Sequence, residues 1–289
     1  MAQLTYLKAL NWAFLFLEER NKEHEAARFL LLGRHHWTTT QLVLHYRDEM
    51  PANEYEQYQA DLAAFAEDQP AQYILGYANF YGRDFKVTPA TLIPRLETEE
   101  LVEWVLSVAP VKDRPLKVLD VGTGSGAIAI TLACKRPDWQ VAAVDISPAA
   151  IAVAQQNAQT LGAKVDFIEG DFLTPVMGQQ FDVIVSNPPY IAEDERSVMD
   201  ASVLKHEPDL ALFAPNNGLA FYERFAQEVP AFLEPEGALF LEFGYQQKEA
   251  IVRIFEQRDP LFSLEVQKDM ANWSRMMRVS YDFNRNLLL

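Results

Sequence analysis

From Leu116 onward the chain alternates short apolar runs with amphipathic ones, and this alternation restricts the fold more than any other feature. Lys117 to Val121, Gln140 to Asp145, Lys164 to Glu169, Phe181 to Ser186 and Ala238 to Phe243 read as strands. Between them, Ser125 to Lys135, Pro148 to Leu161, Leu219 to Leu233 and Gln246 to Gln257 read as helices, with Pro148 at a first-turn position. Ser263 to Gln267 and Met276 to Tyr281 read as two final strands. Strands that alternate with helices pair in parallel through crossover helices, so the expected fold is α/β, a doubly wound sheet covered on both faces.

The first part of the chain has a different texture. Leu4, Leu7, Leu10, Ala13, Phe14 and Leu17 recur at helical spacing, and Ala26 to Leu32 is a second helical run. Thr38, Thr39 and Thr40 offer cap residues before Leu42, and Asn53 to Glu67 is a further helix candidate. The expected organisation is a helical bundle over residues 1–72, with partner docking as its role. A bridging hairpin and linker helix, Glu97 to Val108, follow over 73–110, with Gly76, Gly82 and Pro89 marking the turns. The α/β domain covers 111–289.

Bulk properties narrow the setting. Hydrophobic residues make up 49% and charged residues 23%, enough for a substantial core. No run of about 18 apolar residues occurs, so no membrane span is expected. Lys8 and Asn11 interrupt the first apolar run, so no signal peptide is expected either. Cys134 is the single cysteine, and His24, His35, His36, His45 and His206 lack ligand spacing, so no metal is expected. A reducing, cytoplasmic setting and a monomer are the expectations. The net charge of −16 opposes binding to a phosphate backbone and favours a protein or small-molecule substrate over nucleic acid.

The strand VLDV runs into Gly122-Thr123-Gly124-Ser125-Gly126 and then a helix. Glycines at such a turn let the backbone approach a ligand, and the helix N-terminus offers free N–H groups. Asp145 ends the next strand, where a carboxylate accepts hydrogen bonds from ribose hydroxyls. Gly122, Gly124 and Ala127 also satisfy the dinucleotide pattern, so a dehydrogenase competes at this point. Asp120 favours S-adenosylmethionine, because a carboxylate there meets a positive methionine end better than a pyrophosphate.

The strand FDVIVS ends in Asn187-Pro188-Pro189-Tyr190, at a carboxyl end where open α/β sheets place ligands. Asn187 supplies a carbonyl acceptor, Pro188 and Pro189 have no N–H to compete, and Tyr190 supplies a flat ring. Together they suit a planar NH2 group, whose nitrogen must be aimed at a methyl donor.

With these motifs the sequence resembles the HemK/PrmC family, the release factor glutamine methyltransferases. The likeness rests on ILGYANFYGRDFKVTPATLIPR, DVGTGSGAIAI, AVDIS, SNPPYI, HEPDLAL and EFGYQQ, and spans almost the whole chain. The resemblance implies a helical bundle followed by a class I methyltransferase domain, a Rossmann-like doubly wound sheet with an antiparallel C-terminal strand. It implies that Gly122 to Gly126 line S-adenosylmethionine, Asp145 holds its ribose and Phe172 packs near its adenine. Asn187 would touch cofactor and substrate, with Pro188, Pro189 and Tyr190 completing a glutamine pocket. The implied partners are class 1 peptide chain release factors, methylated on the glutamine of a Gly-Gly-Gln loop, with S-adenosylhomocysteine as the other product. A ribosomal-protein glutamine and, less favoured, a nucleic-acid adenine N6 are the alternative substrates.

Departures from the family pattern are Leu96 where proline is usual and Phe172 where tryptophan is frequent. Arg95 and Glu97 suit either a closing loop or an ion pair at a helix start, and Glu207-Pro208 suits a clamp near the site. Trp12 to Phe16 is read as bundle core, Arg275 as the partner of an acidic neighbour, and Glu193-Asp194-Glu195 as a solvated run.

Overall fold

The computed structural model describes residues 4–281 and separates into two compact units. Among the described residues the first comprises 4–78 together with 200–206, and the second 79–199 and 207–281.

In the first unit α1 (Tyr6–Glu18), α2 (Glu25–His35), α3 (Thr39–His45), α4 (Ala52–Ala66) and α5 (Ala71–Leu75) surround one apolar cluster. Its centre is Leu10, Leu17, Leu30, Leu31, Tyr58 and Leu62, all shielded from solvent. Trp12, Phe14 and Phe16 pack at its margin. Thr38 starts α3 with a capping box, its hydroxyl accepting from the Gln41 N–H and the Gln41 side chain accepting from the Thr38 N–H. Asp61 is the buried charge of the bundle, neutralised by a two-pronged ion pair with Arg34 at 2.7 Å on each prong. The bridging segment expected from residue 73 begins instead with the last turn of α5, closed by Gly76 in the left-handed region. The hairpin β1 (Tyr77–Phe80) and β2 (Arg83–Lys86) comes after it.

The second unit continues with α6 (Leu96–Val108), β3 (Lys117–Val121), α7 (Ala127–Lys135), β4 (Gln140–Asp145), α8 (Pro148–Leu161), β5 (Asp166–Glu169) and β6 (Phe181–Ser186). Then come three short pieces, α9 (Ala201–His206, which clusters with the bundle), α10 (Asp209–Leu212) and α11 (Pro215–Gly218). The chain ends with α12 (Ala220–Glu228), β7 (Leu233–Glu242), α13 (Lys248–Arg258), β8 (Phe262–Lys268) and β9 (Ser274–Tyr281). The strands form one sheet in the order β5-β4-β3-β6-β7-β9-β8. β9 runs antiparallel to both neighbours, and the first five strands are parallel. Two apolar layers fill the two faces. Trp104, Ile130 and Phe240 belong to one, and Ile184, Phe225 and Phe255 to the other. Strands covered on both faces read as continuous apolar runs, which explains why β3 and β6 stand out in the sequence.

Two helix limits differ from expectation. Ser125 stays outside α7, because Gly122, Gly124 and Gly126 all hold positive φ and the chain turns helical only at Ala127. The helix expected over Leu219 to Leu233 stops at Glu228, a short 3-10 turn carries Pro230, and Leu233 already opens β7. Proline has no N–H for the helical ladder and clashes with the preceding turn. The short pieces between Glu193 and Gly218 had no clear periodic signal. Among the described residues no helix is long and apolar enough to cross a membrane.

Candidate active site

β3 lies between β4 and β6, with Val121 level with Val144 and Asp120 level with Val185. The carboxyl ends of three strands therefore bring together the glycine loop, Asp145 and Asn187. Chain order reverses here, and helices leave the sheet in opposite directions, so a crevice opens. A cavity of about 390 Å³ occupies it, within the range of small-molecule sites. Gly122, Thr123, Gly124, Ser125, Asp145, Phe172, Asn187, Pro188 and Pro189 all line it. Three residues singled out in the sequence, Asp120, Gly126 and Tyr190, are not part of that lining.

Gly126 is spent on packing. A Cβ there would stand 2.6 Å from Ile130 Cδ1 and 3.2 Å from Ala154 Cβ, and its φ is +83°. Asp120 is fully buried behind the loop. Its Oδ2 accepts from the Thr123 hydroxyl at 2.6 Å and from the Ala129 N–H at 3.2 Å, while Oδ1 has no partner among the described residues. Burial drives its carboxyl up to about 7 against these two bonds. The direct meeting with a methionine end expected of Asp120 is thus replaced by support of the loop and of the first turn of α7.

Asp145 does face the cavity. Oδ2 accepts from the Gly124 N–H at 2.8 Å and Oδ1 from the Ser147 N–H at 2.9 Å. A carboxylate offers about four acceptor positions, so both oxygens keep capacity for ribose hydroxyls. Burial raises its pKa, and the backbone N–H groups oppose the rise. Beyond it, half-exposed Ile146, Phe172 and Phe221 give the wall an apolar surface suited to a flat base. Phe172 holds a φ of +56° and packs on Phe225, with ring centroids 4.5 Å apart. The Arg224 guanidinium lies 4.2 Å over its ring and also pairs with Asp171. Together the carboxylate, the glycine cradle and this apolar wall fit S-adenosylmethionine.

At the end of β6, the Asn187 side-chain nitrogen donates to the Thr98 hydroxyl at 3.1 Å, and that hydroxyl donates to Glu242 Oε2 at 2.7 Å. Tyr190 stands apart from the cavity and partly buries its ring against the core. Its carbonyl accepts from Gln247 Nε2 at 2.8 Å, and Gln247 Oε1 accepts from the Gly244 N–H at 3.0 Å. Gly218 presses on the same carbonyl. A Cβ there would lie 2.0 Å from the Tyr190 oxygen. Burial, with the Glu242 carboxylate nearby, holds the Tyr190 phenol well above its ordinary pKa.

The segment before α6 closes one side. Arg95 Nη2 meets Glu207 Oε1 at 2.6 Å, and Glu207 Oε2 accepts from the Ile93 N–H at 3.2 Å. Arg95 and Pro208 both line the cavity, so this pair clamps two chain segments at its rim. Leu96 is the first helical residue of α6, a position that proline favours but any residue can occupy. Glu97 sits in the first turn, where negative charge complements the helix dipole. Arg275 pairs with Asp269 at 3.2 Å. Thr98, Ile146, Gly218, Phe221 and Glu242 escaped the sequence reading. Glu242 carried one usable signal, a lone charge in the apolar run ALFLEF.

A doubly wound sheet with its penultimate-position strand reversed, and a glycine cradle, an acidic strand end and Asn187-Pro188-Pro189 around one cavity, define a class I S-adenosylmethionine-dependent methyltransferase. The chain matches the family described as Methyltransferase small domain over residues 103–208 and that described as PrmC N-terminal domain over residues 8–76. It is 47% identical over 271 residues to the release factor glutamine methyltransferase of Enterococcus faecalis, covering 94% of this chain and 97% of that protein. Identity to the Bacillus subtilis protein of the same name is 40%, covering 94% and 96%. The chain belongs to the release factor glutamine methyltransferase family. Among solved structures, a methyltransferase from Pyrococcus furiosus superposes with a TM-score of 0.52 at 18% identity, covering 80% of this chain and 98% of that one. The catalytic domain of hMettl16 in complex with MAT2A 3'UTR hairpin 1 gives 0.56 at 14%, covering 80% and 82%. At these identities the likeness is one of fold.

Proposed function

We propose that this chain methylates the side-chain amide nitrogen, N5, of the glutamine in the Gly-Gly-Gln loop of class 1 peptide chain release factors, and so modulates translation termination. The observation that carries this reading is the Asn187 amide. Its nitrogen is occupied by Thr98, which leaves the carbonyl end as the acceptor beside Pro188 at the cavity wall. The names of the relatives support the same substrate.

Gly122, Thr123, Gly124, Ser125 and Asp145 hold S-adenosylmethionine, with Phe172 and Ile146 against its base. The bound cofactor supplies a methyl group on a sulfonium, already a good leaving group. The work left to the chain is positioning. An amide nitrogen is a weak nucleophile because its lone pair is delocalised into the carbonyl. Asn187 Oδ1 and the Pro188 carbonyl accept the two hydrogens of the NH2 group, which fixes its plane and aims the nitrogen at the methyl. Pro188 and Pro189 offer no N–H that would compete for these acceptors. When the N–C bond forms, the methyl–sulfur bond would break with its electron pair kept by the sulfur, and one of those hydrogens would leave as a proton to solvent at the cavity mouth. Tyr190 anchors the turn through its carbonyl, in place of the stacking surface expected from the sequence. Asp120 steadies the loop from behind. The helical bundle provides the docking surface for the partner, and the protein works as a monomer in the cytoplasm.

The test is mass spectrometry of an unmethylated release factor after incubation with the protein and S-adenosylmethionine. The expected result is a gain of one methyl on the glutamine of the Gly-Gly-Gln loop. No gain, with cofactor binding intact, would overturn the substrate assignment. Methylation of a ribosomal protein or of adenine in nucleic acid would redirect it, although the net charge of −16 opposes the latter.

A further inference from the structure

A primary amide is nearly symmetric in shape but opposite in hydrogen-bonding sense at its two ends. If the Asn187 side chain turned over, it would present NH2 instead of C=O to the cavity. A substrate NH2 group would then face a donor, and the contact that aims it would be lost. Something must therefore decide which way the asparagine points. The choice cannot come from Asn187 itself.

Three elements meet behind it. Asn187 follows β6, Thr98 lies in the first turn of α6, and Glu242 is the last residue of β7. Thr98 and Glu242 are separated by 144 residues in sequence, Asn187 and Thr98 by 89. Both supporting side chains are buried, Thr98 at 5% and Glu242 at 1% exposure. The Tyr222 hydroxyl donates to the Glu242 carbonyl at 2.9 Å and fixes the backbone beneath the carboxyl group.

We propose that Glu242 and Thr98 are positioning residues for methyl transfer, a two-step relay that sets the sense of the Asn187 amide. The Thr98 hydroxyl donates its single hydrogen to Glu242 Oε2, and above about pH 7, where the carboxyl is ionised, Glu242 can only accept it. The threonine oxygen is then an acceptor towards Asn187, and only the amide nitrogen satisfies it. Asn187 Oδ1 is thereby turned to the cavity. The Thr98–Glu242 link is short and buried, and the Asn187–Thr98 link joins it to the cavity wall, so the sense is held before any substrate arrives. A hydroxyl at position 98 is needed because it donates in one direction while accepting from the other. A methyl in its place would release the asparagine, and a serine would keep it.

This inference rests on the proposed use of Asn187, and the experiment separates the two. Steady-state kinetics with the full chain, S-adenosylmethionine and an unmethylated release factor would compare Thr98→Val, Thr98→Ser, Glu242→Gln and Asn187→Ala, and pair each of the first and third with Asn187→Ala. Groups that orient a working side chain typically carry about 10–100-fold in activity, so Thr98→Val and Glu242→Gln should each lower kcat by that order. KM for the release factor should stay within about threefold, since docking is untouched. Thr98→Ser should restore most of the wild-type kcat. In the Asn187→Ala background neither change should cost anything further, because no amide is left to orient. A wild-type kcat in Thr98→Val, or the same loss with and without Asn187, would overturn the relay. Wild-type turnover by Asn187→Ala alone would instead overturn the functional reading on which it stands.

Discussion

Replacing Glu242 with glutamine should stabilise the protein at pH 8 and leave it almost unchanged near pH 4.5. Burial pushes the Glu242 carboxyl from its ordinary 4.5 up to about 7. The Thr98 hydroxyl and the Arg275 and Arg95 guanidinium groups oppose the rise, while Glu97 adds to it. The phenols of Tyr190 and Tyr222 face the same carboxyl and feel its charge. A carboxyl whose folded pKa lies above its unfolded value takes up a proton on folding between the two. With respect to this group, stability is therefore greatest below 4.5 and is lost as pH rises through about 7. At about 1.4 kcal/mol per pH unit, the gap corresponds to about 3 kcal/mol. Glutamine has no charge to bury, so the variant escapes that loss. The fully buried Asp120, also raised to about 7, is present in both chains and cancels in the comparison. Thermal melts of both proteins between pH 4.5 and 8 without cofactor read the effect directly. The midpoint difference should grow by about 6–12 °C in favour of the variant. A difference that does not change with pH would refute the account of a strained, titrating carboxylate. The variant should be more stable and slower at once, which is the pattern of a group kept for function at the expense of stability.

Asp145→Ala removes the acceptor that holds the Gly124 and Ser147 N–H groups and faces the cavity, so calorimetry should show S-adenosylmethionine binding weakened by about tenfold or more. Unchanged affinity would take Asp145 out of the ribose site. Gly218→Ala sets a Cβ 2.0 Å from the Tyr190 carbonyl at a φ of +78°. Its cost should exceed the about 1 kcal/mol of positive φ alone, and turnover should fall as the Asn-Pro-Pro-Tyr turn shifts; a wild-type melting temperature would contradict this. A chain shortened to residues 73–289 should methylate a full-length release factor more slowly than the whole protein, and equal rates would remove the bundle from docking.

The sequence by itself determined whatever depends on neighbours in the chain. Apolar runs such as KVLDV and FDVIVS announce strands covered on both faces, and their alternation with helices leaves few arrangements other than a doubly wound sheet. Thr38 and Pro148 mark helix starts because capping is a matter of three or four residues. The glycine loop, Asp145 and Asn187 were legible for the same reason, since each sits where a strand stops, and parallel strands stop on one edge. Tertiary structure decided what those residues touch. Asp120 and Gly126 lie within the loop motif, yet one turns inward and the other is filled by the packing of Ile130 and Ala154. Tyr190 follows the prolines in sequence, but its carbonyl is bound by Gln247 and its ring leaves the cavity wall. Arg95 finds Glu207, and Asn187 finds Thr98 and Glu242, only when distant segments close over one edge of the sheet. Local propensity carries no information about which buried hydroxyl will stand next to which amide. That is fixed by the side-by-side order of strands and by the demand that each polar group leaving water find a partner.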